Sequence, residues 1–199
     1  MIRSSKKTTL AAIVTFAVAV LMMGTSCSGT LAAYLRAAAC DGDIKKVTNF
    51  LKLGANVNAT DGLGYTALID VEACKRHDDA SRLQLIEVLI ASGGAVNHRT
   101  RDGTTALMYA ARNGDTQVVN ALLRKGASVS VADNDGETAL IKAAASSCNV
   151  ETVQALISAG ADLNARDHKG QNALDSFRSS YACPESKVGD LLQKATTGD

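Results

Sequence analysis

The stretch "DGTTALMYAARNGD", residues 102–115, contains a tight-turn pair, a helix start, a short apolar helix face and a second turn. Its opening recurs along the chain, as "GYTAL" at Gly64, "GTTAL" at Gly103, "GETAL" at Gly136 and "GQNAL" at Gly170, in steps of 39, 33 and 34 residues. A second marker, "GANVN", "GGAVN", "GASVS" and "GADLN", precedes each copy by ten residues and keeps the same steps. Two markers with one shared spacing indicate repeated supersecondary units.

Each copy predicts two helices joined by a tight turn. Apolar residues at helical spacing predict a short helix around Leu107–Ala111 and a second helix around Val118–Leu123. Gly114 and Asp115 suit the turn and the cap between them, and Gly126 suits the left-handed residue that ends the second helix. A threonine is placed to cap the first helix in three copies: Thr66, Thr105 and Thr138.

These residues resemble the pattern of the ankyrin-repeat family, which reads Gly-x-Thr-Pro-Leu-His, then Ala-Ala-x-x-Gly, then Leu-Leu-x-x-Gly-Ala-Asp-Val-Asn. The resemblance implies an all-α solenoid of about five helix pairs with β-hairpin-like finger loops, enough units to bury a continuous core by stacking. The sequence departs from the pattern where the family has proline (Ala67, Ala106, Ala139, Ala173) and histidine (Ile69, Met108, Ile141, Asp175).

The resemblance covers residues 34–195, from a first helix pair without a leading finger to a degenerate last pair. The second unit is longer than the others, and its surplus around Cys74–Ser81, "CKRHDDAS", is expected to be a solvated loop between the two helices. The expected units are residues 34–58, 59–97, 98–130, 131–164 and 165–195, followed by a tail at 196–199.

The first residues differ in kind from the repeats. A basic start precedes Leu10–Met23, a 14-residue apolar run that is short for a membrane-spanning helix and typical of an export signal. "GTSCSG" follows and resembles the bacterial lipoprotein cleavage box, in which Cys27 is lipidated, although Gly24 stands where the box has an apolar residue. Plain secretion and a retained signal anchor are the alternatives. We therefore expect a signal peptide at 1–27 and a short tether at 28–33.

Charge and motif content exclude several classes of function. Without residues 1–27 the chain carries 18 basic and 20 acidic side chains and no polybasic run, so we expect no nucleic-acid partner. No nucleophile elbow, phosphate loop or zinc-protease motif is present, and the three histidines fall in three different units. "DNDGE", residues 133–137, imitates a calcium loop, but Val131 and Lys142 would stand at ligand positions. We expect no enzymatic activity, no metal and no cofactor.

Four cysteines remain if Cys27 is lipidated, and an exported protein keeps disulfides. Cys148 and Cys183 lie in adjacent interhelical loops, which we expect to approach closely enough for a bridge. Cys40 and Cys74 are a less favoured pair, because adjacent helices sit about 8–10 Å apart. The alternative for these two is a small buried apolar side chain.

The family resemblance also implies a protein partner, held by the finger tips and the outward side of each first helix. Tyr65, Met108, Tyr109 and Arg112 are the centre of the predicted face, since aromatic, Met and Arg side chains are enriched in interface cores. The alternative is that Met108 packs between units and Tyr109 covers a neighbouring helix. The predicted partner-binding residues are Leu63, Tyr65, Asp70, Arg101, Thr104, Met108, Tyr109, Arg112, Glu137, Lys142, His168 and Gln171.

Small exported ankyrin lipoproteins of bacteria include immunity proteins, which neutralise toxins, and this analogy favours the same role for the present chain. A scaffold or chaperone for a resident envelope enzyme, for example in oxidative-stress defence, is the first alternative. A hydrolase with an unrecognised site is the second. We expect a protein that is monomeric when free and lies on the periplasmic face of a bacterial membrane, attached only through lipid on Cys27.

Overall fold

The computed structural model describes residues 27–74, 79–147, 149–180 and 187–197. Within these ranges the chain forms five helix pairs. The first helices are α1 (Cys27–Cys40), α3 (Ala67–Cys74), α5 (Ala106–Asn113), α7 (Ala139–Ser146) and α9 (Ala173–Ser179). The second helices are α2 (Ile44–Lys52), α4 (Asp79–Ala91), α6 (Thr116–Arg124), α8 (Val150–Ser158) and α10 (Val188–Thr197).

The first helices begin where the sequence supplies a side-chain cap. The hydroxyl oxygens of Thr105 and Thr138 each accept a hydrogen bond of 3.3 Å from the backbone N–H three residues later. Thr66 makes the same contact at 3.4 Å, and Asn172 replaces threonine in a reciprocal capping box with Asp175. The predicted threonine caps are therefore confirmed. Asp115 holds the cap position of α6, but its side chain makes no cap hydrogen bond.

Stacking of successive pairs builds two layers. Each first helix contacts the next first helix, and each second helix contacts the next second helix. The core lies between the layers, where Leu35, Leu68, Leu107 and Leu140 occupy one register and are at most 1% exposed. Burying one such side chain stabilises the fold by about 1.5–3 kcal/mol, so the stack rather than any single unit forms the core.

The finger loops that precede α3, α5, α7 and α9 are joined to one another by backbone hydrogen bonds. Arg101 donates its N–H to the carbonyl of Leu63 at 2.9 Å, and His168 donates to Asp135 at 2.8 Å. Asn134 makes the equivalent bond to the second finger at 2.9 Å. An isolated antiparallel bridge between Ala132 and Thr138 closes the third finger. The fingers therefore form one continuous edge instead of four independent loops.

A second set of hydrogen bonds joins the units just after the C-terminal ends of the second helices. The side chain of Asn58 donates to the carbonyl of Gly93 at 2.9 Å and accepts from Ala95 N–H at 2.7 Å. Asn97 repeats both bonds one unit later, at 2.9 and 2.8 Å. Ser130 holds the equivalent position of the next unit. Its side chain is too short to make these two bonds, and its hydroxyl instead lies 3.3 Å from that of Ser128.

Three expected boundaries differ from the structure. Residues 28–33, expected as a tether, are helical, because α1 has no leading finger and instead runs on through Ala32, which is buried. Of the surplus of the second unit, expected as a loop, residues 79–81 belong to α4, which has 13 residues from Asp79, and residues 75–78 are not described. Residues 196 and 197 of the expected tail belong to the last turn of α10, and residues 198–199 are not described. Residues 1–26 and 75–78 lie outside the described ranges, and no described helix combines the length and apolarity needed to cross a membrane.

Candidate functional site

The finger tips and the solvent-facing side of the first helices border one face, which we call the groove. Eight of the twelve predicted partner-binding residues are exposed or partly exposed, although the Lys142 side chain is only 12% exposed in its ion pairs. The most exposed large apolar side chain among them is Leu63, at 61%. The eight are Leu63, Tyr65, Arg101, Arg112, Glu137, Lys142, His168 and Gln171.

The structure corrects the other four predictions. Met108 is only 1% exposed, because it lies on the side of α5 that the neighbouring first helices cover. Tyr109 is buried for the same reason. Packing of Met108 and Tyr109 against neighbouring units was the alternative interpretation of the sequence. Thr104 is buried in its finger, where its N–H donates to the Thr100 hydroxyl at 3.0 Å. Asp70 is buried in an ion pair. None of these four side chains is available to a partner across the groove.

The centre of the groove is a tyrosine pair that carries an arginine. The hydroxyls of Tyr65 and Tyr109 are 2.5 Å apart, and the two rings lie 6.1 Å apart at a tilt. Burial, and then the hydrogen bond with Tyr65, raise the pKa of Tyr109, so its phenol stays neutral over the physiological range. The exposed Arg112 guanidinium lies 4.9 Å from the centre of the Tyr109 ring, within cation–π distance.

An ion-pair cluster lies on the N-terminal side of this pair. Arg36 of α1 donates to Asp61 at 2.8 Å and to Asp70 at 2.7 Å, which ties the first unit to the second. Burial raises the pKa of Asp70, and Arg36 offsets only part of that rise. Although burial opposes it, the N–H groups of Tyr65 and Leu63, helped by Arg36, lower the pKa of Asp61. Arg36 was not among the predicted residues, and the only indication of its role in the sequence is that it lies 34 residues, one repeat length, before Asp70.

A second ion-pair cluster lies on the C-terminal side. The Lys142 ammonium is 2.6 Å from both Asp133 and Glu137. Although burial opposes it, these two carboxylates raise the pKa of Lys142. Asp133 also accepts the backbone N–H groups of Asp135 and Glu137, at 3.0 and 2.9 Å. "DNDGE" is therefore a finger-tip turn, and the described residues contain no group of three potential metal ligands.

A disulfide joins Cys40 at the end of α1 to Cys74 at the end of α3, with 5.4 Å between the two Cα atoms. This pair was the less favoured prediction, because the ordinary spacing of adjacent helices is too wide for a bridge. Alanines such as Ala38 and Ala39 are buried on α1, and their small side chains let it approach α3 closely enough for a bridge. The first-ranked pair, Cys148 and Cys183, lies outside the described residues.

A buried ion pair between α4 and the start of α6 was also not predicted from the sequence. The guanidinium of Arg82 contacts the Asp115 carboxylate, and both side chains are less than a tenth exposed. Asn113 adds a bond of 3.0 Å from its side-chain amide to the carbonyl of Glu72. Asp115 was predicted only as a helix cap, and nothing local in the sequence indicates its partner.

Helix pairs, fingers and a laterally continuous groove define a solenoid repeat protein. The family model for ankyrin repeats matches residues 35–130 and 72–167, so this chain belongs to the ankyrin-repeat family. A search of curated proteins finds the inactive serine/threonine-protein kinase TEX14 of Mus musculus, 33% identical over 103 residues, which are 52% of this chain and 7% of that protein. TEX14 of Bos taurus is 31% identical over 103 residues, 6% of its length. Ankyrin repeats are protein–protein interaction modules and are typically non-enzymatic.

Proposed function

We propose that this protein is exported and binds one partner protein in its groove, most specifically as an immunity-type protein that neutralises a toxin or effector. The observation that carries the proposal is the prearranged groove, in which adjacent fingers are joined by backbone hydrogen bonds of 2.8–2.9 Å. A surface that is already ordered loses less conformational entropy when a partner docks, which favours tight binding.

Two observations support export. The N-terminal pattern before Cys27 resembles a bacterial lipoprotein signal. The Cys40–Cys74 disulfide is of a kind that persists in oxidising compartments such as the periplasm and is rare in reducing ones. In this proposal lipid on Cys27 holds the protein on the periplasmic face of the membrane, and the groove side chains hold the partner as a one-to-one complex.

The experiment is capture of the tagged, exported protein from bacterial cells in contact with competitors, with cross-linking and mass spectrometry. We expect one stoichiometric foreign toxin, cross-linked to groove residues, and loss of protection against that toxin when the protein is deleted. Capture of resident envelope proteins alone would refute the immunity role and favour the scaffold alternative.

The anchor is tested separately. Metabolic labelling with a radioactive fatty acid should mark the wild-type protein and leave Cys27→Ser unlabelled and released from membranes. Equal labelling, or equal membrane retention, of the two proteins would remove lipidation from the proposal while leaving the binding role intact.

A further inference from the structure

We infer that the centre of the groove binds an acidic segment of the partner, with Arg112 taking an aspartate or glutamate carboxylate. This inference rests on the proposed binding function and names the chemistry of its partner. The cationic side chains of the groove differ in whether carboxylates of the same chain already neutralise them. Arg36 and Lys142 are each held by two carboxylates, whereas Arg112 forms no ion pair with any residue of the described ranges.

Arg112 is nevertheless held in place. Its guanidinium carbon lies 4.9 Å from the centre of the Tyr109 ring, and the ring is fixed by burial and by the hydroxyl contact with Tyr65 at 2.5 Å. The Arg112 side chain donates no hydrogen bond to any residue of the described ranges, so its N–H donors are available for a bidentate carboxylate. Arg112 therefore presents an oriented pair of donors to the groove at little further cost in side-chain entropy.

The charges around Arg112 select the position of an acidic side chain. Arg101, at the tip of the same unit's finger, is also exposed and forms no ion pair within the described residues. The exposed Asp102 beside it carries the opposite charge, so Arg101, Asp102 and Arg112 together leave one positive charge in excess on this unit. The units on both sides are different: each cluster, around Arg36 on one side and Lys142 on the other, sets two carboxylates against one cation. An acidic group is attracted over the third unit and repelled over its neighbours.

The same pattern argues against a polyanion. Nucleic acids and anionic membranes bind to runs of cations that neutralise several phosphates together. Here a single positive unit is flanked by acidic clusters, so a continuous row of phosphates would meet repulsion on either side. A protein segment can instead place one or two carboxylates over the third unit and basic or neutral residues beside them.

The test uses the purified, oxidised full chain and a random-peptide display library. We expect selection on the wild-type protein to enrich peptides that contain Asp or Glu. By calorimetry, the best such peptide should bind Arg112→Gln about tenfold more weakly, the size expected for loss of one charge-assisted contact. Arg112→Lys should recover only part of the affinity, because lysine keeps the charge and loses the bidentate geometry.

Arg124→Gln is the matched control, since Arg124 is an exposed arginine on the second-helix layer. It should leave peptide affinity unchanged. Enrichment without acidic residues, or equal affinity of wild type and Arg112→Gln, would overturn the inference, as would stronger Arg112-dependent binding of an oligonucleotide or of phosphatidylglycerol vesicles. Because the peptide library replaces the natural partner, the peptide result can be interpreted even if the capture experiment finds no toxin.

Discussion

The finger edge makes a quantitative prediction about two glycines that share a backbone conformation and differ in surroundings. Gly136 has φ 78° and Gly170 has φ 77°, so alanine at either position adopts the unfavourable left-handed region. A Cβ at Gly136 would lie 3.0 Å from His168 Cδ2 and 3.1 Å from the Asp167 Cα. A Cβ at Gly170, in the last finger, meets nothing within 4 Å.

The magnitudes follow from these contacts. Gly170→Ala should lower the free energy of unfolding by about 1 kcal/mol, the cost of a left-handed alanine. Gly136→Ala has the same cost and must also push the next finger away, which strains the hydrogen bond from His168 N–H to the Asp135 carbonyl. That bond is worth about 1 kcal/mol and the overpacking about another 1–3 kcal/mol. We therefore expect Gly136→Ala to lower the free energy of unfolding by about 3–5 kcal/mol.

The assay is urea denaturation of the oxidised protein, followed by circular dichroism. We expect the urea midpoint to be highest for the wild type, lower for Gly170→Ala and lowest for Gly136→Ala. The difference between the two variants should exceed the difference between the wild type and Gly170→Ala. Equal destabilisation of the two variants would show that the third and fourth fingers are not packed against each other, and the rigid edge proposed for partner binding would be wrong.

Three further changes test other contacts. Cys40→Ser should lower the free energy of unfolding by about 3–4 kcal/mol, since the bridge to Cys74 closes a loop with a sequence separation of 34; unchanged stability would contradict the bridge. Ser130→Asn should raise the free energy of unfolding, measured by urea denaturation, by about 1 kcal/mol, because it restores the two side-chain hydrogen bonds that Asn58 and Asn97 make. No gain would show that residue 130 is not placed as Asn58 and Asn97 are. Tyr65→Phe should lower the pKa of Tyr109, which an alkaline titration of phenolate absorbance detects. Because that pKa is raised from 10.0, its contribution to stability is complete below pH 10 and is lost as pH rises further, and an unchanged titration would refute the pairing.

The sequence by itself determined the repeat, the helix pairs and most of their boundaries. Threonine caps, positive-φ glycines such as Gly126 and apolar helical spacing all act within a few residues, so they can be found without knowing which units touch. The finger-tip turn in "DNDGE" is local in the same sense. The groove as a surface followed from the family resemblance, and eight of its twelve predicted residues are exposed or partly exposed.

The tertiary structure alone decided which side chains the groove presents. Met108 and Arg112 stand on the same short helix, yet neighbouring helices bury the first and leave the second exposed. Arg36 reaches Asp70, and Cys40 reaches Cys74, across a full repeat of chain. These outcomes depend on how closely consecutive first helices approach and how far they rotate. Both quantities are set by the packing of small side chains between units, which no local pattern encodes.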